Sequence, residues 1–211
     1  LNTSVSRVML SSSSFFIVLS AGQLIYGPLL ERFGRKKPLY AGLIIYLLAS
    51  IGCAMATTVD ALILFRLLQA LGGCAGMVAA RAMVRDIFEV KENAKIFSLL
   101  MLVVAVSPIL APTLGGYITA AFGWRYVFAM LIVVAVIIII GVYFLLPESK
   151  KPDPNFSLKP GSIINIFSGI IKDPQFYTYA LTGAISSAGL YAYISGSPHV
   201  FMELFRVSEQ Q

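Results

Sequence analysis

Six long apolar runs dominate this sequence, at residues 11–30, 39–58, 61–80, 96–120, 126–146 and 176–198. Each is about as long as the ~20 residues an α-helix needs to cross the ~30 Å hydrocarbon core of a bilayer. Lipid offers the backbone no water, so such runs must close their hydrogen bonds internally, as helices. A membrane barrel is excluded, because its strands alternate apolar and polar residues over ~10-residue segments. The composition agrees: 58% of the 211 residues are hydrophobic and 12% charged, with a mean hydropathy of +0.84. A soluble globular domain carries about 25% charged residues, and a disordered chain is far less apolar. The expectation is an all-α polytopic membrane protein with six spans.

The charges orient those spans, because successive loops fall on alternating sides. Arg32, Arg35, Lys36, Lys37, Arg81, Arg85, Lys91, Lys95, Lys150, Lys151, Lys159 and Lys172 share one side, 12 of the 16 basic residues. Arg7, Arg125 and Arg206 fall on the other side, and Arg66 lies within the third run. The positive-inside rule makes the first side cytoplasmic, so loops 31–38, 81–95 and 147–174 are expected there, in a multi-pass membrane protein. The formal charge of +6 is thus a topological asymmetry, with the bilayer and not a nucleic acid as the implied partner. Cys53 and Cys74 sit inside apolar runs, where thiols act as small hydrophobes, so neither a disulfide nor a metal site is expected. His199 is the only histidine, and no span holds paired acids or Gly-x-Ser-x-Gly, so an enzyme is not expected. Residue 1 is Leu, with no basic stretch and cleavage site behind it, which argues against a signal peptide.

The longest hydrophilic interval starts with Pro147, Pro152, Pro154 and Pro160. It then carries Ile163, Ile166, Phe167, Ile170 and Ile171 at helical spacing, with Ser162, Asn165, Ser168 and Lys172 on other faces. At about 12 residues this segment is too short to span and suits a helix lying on the membrane surface. The organisation expected is a helix bundle over 1–147, a cytoplasmic linker over 148–174, and the start of a second bundle over 175–211. One internal repeat is visible: Gly27-x5-Phe33-Gly34-x-Lys36 recurs as Gly116-x5-Phe122-Gly123-x-Arg125, 89 residues on. The copies are three spans apart and so lie on opposite faces, the mark of an inverted-topology repeat found in many secondary transporters.

Three strings could carry chemistry. Gly27-Pro-Leu-Leu-Glu31-Arg32-Phe-Gly34-Arg35-Lys36-Lys37 fills a loop so short that its flanking helices must be antiparallel neighbours. Gly27 there would allow close helix approach, Gly34 the positive φ of a tight turn, and the cations could pair with carboxylates on adjacent helix ends to hold one conformation closed. Arg66 lies ~8 Å inside its run at 1.5 Å per residue. An arginine near a helix centre costs at least ~2.5 kcal/mol, so it should face a wet cavity or a partner. The small residues Gly72, Gly73, Ala75, Gly76, Ala79 and Ala80 follow it as a closely packing stripe. Finally, Ser107-Pro108-Ile-Leu-Ala111-Pro112-Thr-Leu-Gly115-Gly116 places two kinking prolines and two glycines that admit a neighbouring backbone inside the fourth run, as suits a moving interface.

The first string resembles the loop signature of the major facilitator superfamily, G-x-x-x-D/E-R-x-G-R-K, with Glu31 where Asp is commoner. The resemblance implies a twelve-helix fold of inverted repeats, of which this chain would supply helices two to seven as a fragment. Helix one, which commonly carries an acidic proton-binding residue, would be missing, and the fragment is expected to be unstable or inactive alone. By the same resemblance Arg35 pairs with Asp86, and Gly27, Glu31, Arg32, Gly34, Arg35, Lys36 and Asp86 form a cytoplasmic gate. Arg66 and Gln69 are similar to the R-x-x-Q-G motif implicated in proton coupling, with Ala70 in place of its glycine. Pro108, Pro112, Gly115 and Gly116 resemble the antiporter motif of the superfamily's exporters, with Ala111 in place of a glycine. Gly22-Gln23-Leu24-Ile25-Tyr26-Gly27-Pro28, Arg81-Ala-Met-Val-Arg85-Asp86 and Ser195-Gly196-Ser197-Pro198 look like the bicyclomycin-resistance (Bcr/CflA) group of proton-coupled drug exporters. That group implies efflux of small lipophilic compounds, driven by the proton gradient without a cofactor, by a protein monomeric at full length. Gln23, Tyr191 and Tyr193 are assigned to the substrate pathway, although interfacial belting also accounts for the tyrosines. An importer or symporter of the same superfamily is the alternative expectation, and a structural membrane subunit the remote one.

Overall fold

The computed structural model describes residues 5–204, with side chains over 14–189 apart from Ile109, and at Ala192. Among the described residues seven helices follow one another: α1 (Val5–Phe33), α2 (Lys36–Met55), α3 (Val59–Ile87), α4 (Val90–Phe122), α5 (Arg125–Leu145), α6 (Pro160–Ile171) and α7 (Pro174–Leu204). Five of them, α1 to α5, are long and apolar enough to cross a membrane. The sixth expected span falls within α7, which is 31 residues long but is not among those five; Thr178, Thr182, Ser186 and Ser187 dilute its apolar run.

The helices overshoot the apolar runs. Loop 31–38 shrinks to Gly34 and Arg35, and loop 81–95 to Phe88 and Glu89. Helical hydrogen bonding does not stop where the hydrocarbon does, so α3 continues about two turns past Ala80, carrying Arg81, Arg85 and Asp86 with it. Short connections then need special backbone. Gly34 (φ 83°) and Gly123 (φ 97°) both occupy the left-handed region that side-chain-bearing residues avoid. They are the matching positions of the internal repeat. In each copy the next residue is right-handed, and a helix starts at once with Lys36 or Arg125. Thr58 opens α3 by accepting a hydrogen bond from the Ala61 amide at 3.2 Å, an ordinary side-chain N-cap.

The protein divides into two compact units, residues 1–158 and 159–211. The first holds α1 to α5 and a core of Tyr26, Leu30, Leu39, Leu43, Cys74, Ala75 and Ala79. Cys53 and Cys74 are buried, free thiols. Its tightest seam is α2 against α3, where absent side chains let backbones meet. A Cβ on Gly72 would lie 2.5 Å from the Tyr46 amide nitrogen and 2.6 Å from the Gly42 carbonyl, and one on Gly42 would strike the Ala75 side chain. Gly22 on α1 performs the same service toward Cys74, at 2.5 Å from its sulfur. The small-residue stripe is therefore selective: Gly72, Ala75 and Ala79 are buried, whereas Ala80 is exposed and a Cβ on Gly76 would meet nothing within 4 Å.

Close approaches fall at Gly22, Gly42, Gly52 and Gly72, whereas a Cβ on Gly27, Gly115 or Gly116 would meet nothing within 4 Å among the described residues. α4 carries Pro108 and Pro112 inside one helix. The second unit contains α6 and α7, joined by Lys172 and Asp173.

Gly72→Val should force α2 and α3 apart, at a cost typical of overpacking, ~1–3 kcal/mol or more. Gly27→Ala should be neutral or slightly stabilising, since alanine is the better helix former. Thermal unfolding of the two variants in detergent checks both; equal losses would contradict this account of the seam.

Candidate functional site

At the end of the first unit that carries most of its basic residues, a guanidinium is taken out of water. Arg35 is 3% exposed, because it sits in the two-residue turn between α1 and α2 with α3 beside it. A buried charge persists only when it is paired and hydrogen-bonded. Arg35 donates through Nε to Asp86 Oδ2 at 2.6 Å and through Nη2 to Asp86 Oδ1 at 3.2 Å, the two-pronged geometry that suits guanidinium and carboxylate. Its Nη1 donates to Glu31 Oε1 at 3.1 Å, one turn back on α1. Burial alone would lower the Arg35 pKa, but its hydrogen bonds and attraction to Asp86 and Glu31 prevail and raise it above the usual value. α1 and α3 are thereby tied through the start of α2.

The segment after α5 completes the cluster. Glu148 accepts from the Arg35 amide at 2.6 Å and the Lys36 amide at 3.1 Å. These are free N–H groups at the start of α2, and a carboxylate there also complements the helix dipole. Ser149 donates to Asp86 at 3.1 Å, and Lys150 forms an ion pair with Glu31. Arg32 donates to the Phe156 carbonyl at 3.0 Å. A Cβ on Gly34 would sit 3.1 Å from the Lys150 carbonyl and 3.2 Å from Glu148 Oε2, so that glycine serves both the turn and the arriving segment. Lys36 lies over the Tyr40 ring at 5.9 Å. The structure thus brings together Glu31, Arg35 and Asp86, turns Arg32 to the Phe156 carbonyl, and adds Glu148, Ser149 and Lys150, which the sequence left in the linker.

The opposite end of α2 is held in the complementary way. Arg125, at the start of α5, donates to the Ala56 carbonyl at the C-cap of α2 at 3.0 Å, where a cation is favoured. Its guanidinium lies 4.6 Å from the Trp124 ring centroid. α2 and α5 are therefore antiparallel, with an anion at one end of α2 and a cation at the other.

The remaining candidates lie apart. Arg66 points toward α1, its guanidinium 5.4 Å from the Phe15 ring centroid, and its buried Nε has no hydrogen-bond partner. Gln69, one turn on, is 4% exposed in the α2–α3 seam and donates to Ser50 Oγ at 2.8 Å. Ser50 in turn donates to the Tyr46 carbonyl at 2.7 Å. Gln23 lines a cavity of about 300 Å³ between α1 and α3, together with Glu31, Arg35, Arg81 and Arg85. Pro112 and Gly116 are exposed on α4, with Pro108 and Gly115 half-buried. The side chains of Tyr191 and Tyr193 lie outside the described residues.

Glu148→Ala should lower stability by roughly 1.5–3 kcal/mol, the range for hydrogen bonds to a charged group, and Glu148→Gln should recover part of it. Arg125→Ala should act independently, so the double variant should lose the sum of the single effects. Denaturant titration of the four variants against the wild type reads both; strong non-additivity would contradict two separate end contacts.

Comparison with known proteins places this arrangement. The sequence profile of the Major Facilitator Superfamily matches residues 1–210. An uncharacterized MFS-type transporter of Bacillus subtilis, YdgK, is 34% identical over the whole chain, which covers 53% of that protein. A bicyclomycin resistance protein homolog of Haemophilus influenzae is 28% identical over the whole chain, again 53% of its length. A chloramphenicol resistance protein of Pseudomonas aeruginosa is 36% identical over 62% of this chain and 32% of its own. The chain spans about half the length of the first two. Among solved structures, a peptide transporter (POT) crystallised with sulfate matches with a TM-score of 0.59 at 19% identity, covering 89% of this chain and 38% of that one; at that identity the likeness concerns the fold. With a profile match running nearly end to end over an all-helical chain with five apolar candidate spans, the chain belongs to the Major Facilitator Superfamily of membrane transporters.

Proposed function

We propose that this chain is part of a proton-coupled exporter of small lipophilic compounds, working by alternating access in the inner membrane, with the Arg35 cluster on the cytoplasmic side. The observation that carries the reading is the Arg35 cluster itself. It gathers groups from α1, α2, α3 and the segment after α5 around one buried charge, a bonding pattern that is either whole or broken. Such an element suits one end of a transporter that opens and closes. Relatives named for bicyclomycin, chloramphenicol and multidrug resistance supply the compound class.

In this reading Glu31, Arg32, Arg35, Lys36 and Asp86, set by Gly34, form the latch of the cytoplasmic gate, and Glu148 and Lys150 brace it. Arg66 is the intramembrane cation of the coupling machinery, its unpartnered Nε available to a carboxylate. Gln69, bound to Ser50, holds the seam on which Arg66 rides. The open face of α4, with Pro108, Pro112, Gly115 and Gly116, belongs to the moving interface, and Gln23, Tyr191 and Tyr193 to the substrate pathway. Substrate, protons and lipid are the partners, and the driving force is the proton gradient.

The test uses the full-length protein in inverted vesicles energised by respiration. Adding a lipophilic drug should release protons from the acidified lumen, and Arg66→Ala should cut that release at least tenfold, or about 1.4 kcal/mol, without lowering the amount of inserted protein. Unchanged release in the variant would remove Arg66 from the mechanism. Absence of drug-linked release across a broad panel, with uptake of a metabolite instead, would replace export by import.

A further inference from the structure

On α3, Val78, Arg81, Ala82 and Arg85 recur at i, i+3, i+4 and i+7 and so share one helix face. Across from it α1 presents Gln23, Leu24, Gly27 and Leu30, and the cavity of about 300 Å³ lies between the two faces. Small-molecule clefts begin at about that volume. The two helices touch at Gly22, where a Cβ would lie 2.5 Å from the Cys74 sulfur. At Gly27 they no longer touch: this residue walls the cavity, and a Cβ on it would meet nothing within 4 Å. The absent side chain therefore leaves room there instead of letting backbones meet.

Glu31, Arg35, Arg81 and Arg85 are the charged residues of the cavity wall, and the first two are already engaged. Glu31 gives one carboxylate oxygen to Arg35 and the other to Lys150, while Arg35 turns its other donors to Asp86. Among the described residues Arg81 and Arg85 make no ion pair. Both are exposed, and they stand one turn apart, a spacing at which like charges repel. The dipole of α3 favours a cation in its last turn, which accounts for Arg85, but Arg81 lies a turn too early for that. A cation that only marks one side of a membrane has no need of a cavity. What the pair lacks is an anion, and the guanidinium fork suits carboxylate and phosphate oxygens. Beside the two cations, Leu24, Leu30, Val78 and Ala82 supply apolar wall and Gln23 a neutral polar group.

We propose that this cavity binds small amphiphilic organic acids, the acid group held between Arg81 and Arg85 and the apolar body laid against Leu24, Leu30 and Val78. Gly27 keeps the cavity open, and a bound acid relieves the repulsion between the two arginines. A place for the site on an export path rests on the export reading above, to which it adds acids as a compound class. The binding chemistry itself does not depend on the direction of transport.

Equilibrium binding of radiolabelled naphthoate to the full-length protein in detergent tests this, with naphthamide, the same ring system without the charge, as competitor. The wild type should bind naphthoate saturably, and naphthamide should compete roughly tenfold less well. Arg81→Gln and Arg85→Gln should each weaken binding several-fold, and so should Gly27→Leu, which fills the cavity. Lys91→Gln, which removes a cation of the same basic end that does not line the cavity, should bind as the wild type does. Thermal unfolding reports whether each variant is folded; the two arginine variants, at exposed positions, carry the test if Gly27→Leu is not. No saturable binding by the wild type, equal competition by naphthamide, unchanged binding in both arginine variants, or an equal loss in Lys91→Gln would each overturn the proposal. No gradient is applied and no flux is read, so failure of the export reading leaves the binding result standing. Drug-linked proton release by a protein that binds no naphthoate would remove the acid site alone.

Discussion

The buried guanidinium of Arg35 is the point on which the basic end of the bundle depends. At 3% exposure it has exchanged its hydration for protein oxygen atoms, and Asp86 and Glu31 supply them from two other helices. Removing either partner of such a pair costs more than the pair contributes net, because a charge is left without water or counter-ion. That asymmetry gives the site two well-separated conditions, assembled or dispersed. It is also why so much backbone is arranged around a single side chain: Gly34 accepts a positive φ, α3 runs on past the hydrocarbon to present Asp86, and the chain returns after α5 to place Glu148, Ser149 and Lys150 against the same turn.

The pairing of α2 with α5 extends this logic through the unit. The internal repeat is a matter of backbone as well as letters, since Gly34 and Gly123 take the same rare conformation and each launches a helix after one further residue. The two turns nevertheless act differently. One is buried under a charge network, whereas the other sends Arg125 back to a helix C-terminus. An inverted repeat used in this way supplies two ends of similar shape and unlike chemistry, as a protein that must distinguish two sides of a membrane requires.

Much of this was legible in the residues. Apolar length alone identifies five helices, because lipid leaves the backbone no other option, and the Glu31–Lys37 string together with Asp86 marked the charged cluster. Gly34 was readable from turn chemistry. Glu148, Ser149 and Lys150 were not, because their partners lie 63 to 119 residues away in the chain and a lone carboxylate after a proline looks like a linker. Glycine roles were hard to read for a related reason: Gly27, Gly115 and Gly116 look like packing glycines by spacing, but which face meets a neighbour is decided by the helices around them. Gly42, which does make a close approach, stands in no recognisable string.

The central claim is that Arg35 and Asp86 act as one unit whose making and breaking belongs to the transport cycle. A double-mutant cycle on drug-linked proton flux, using Arg35→Ala, Asp86→Ala and both together in the full-length protein, tests it most directly. The account predicts strong non-additivity: the double variant should be about as impaired as either single one, a coupling of roughly 1–3 kcal/mol. Independent, multiplying losses would show that the two residues act separately and would contradict the latch.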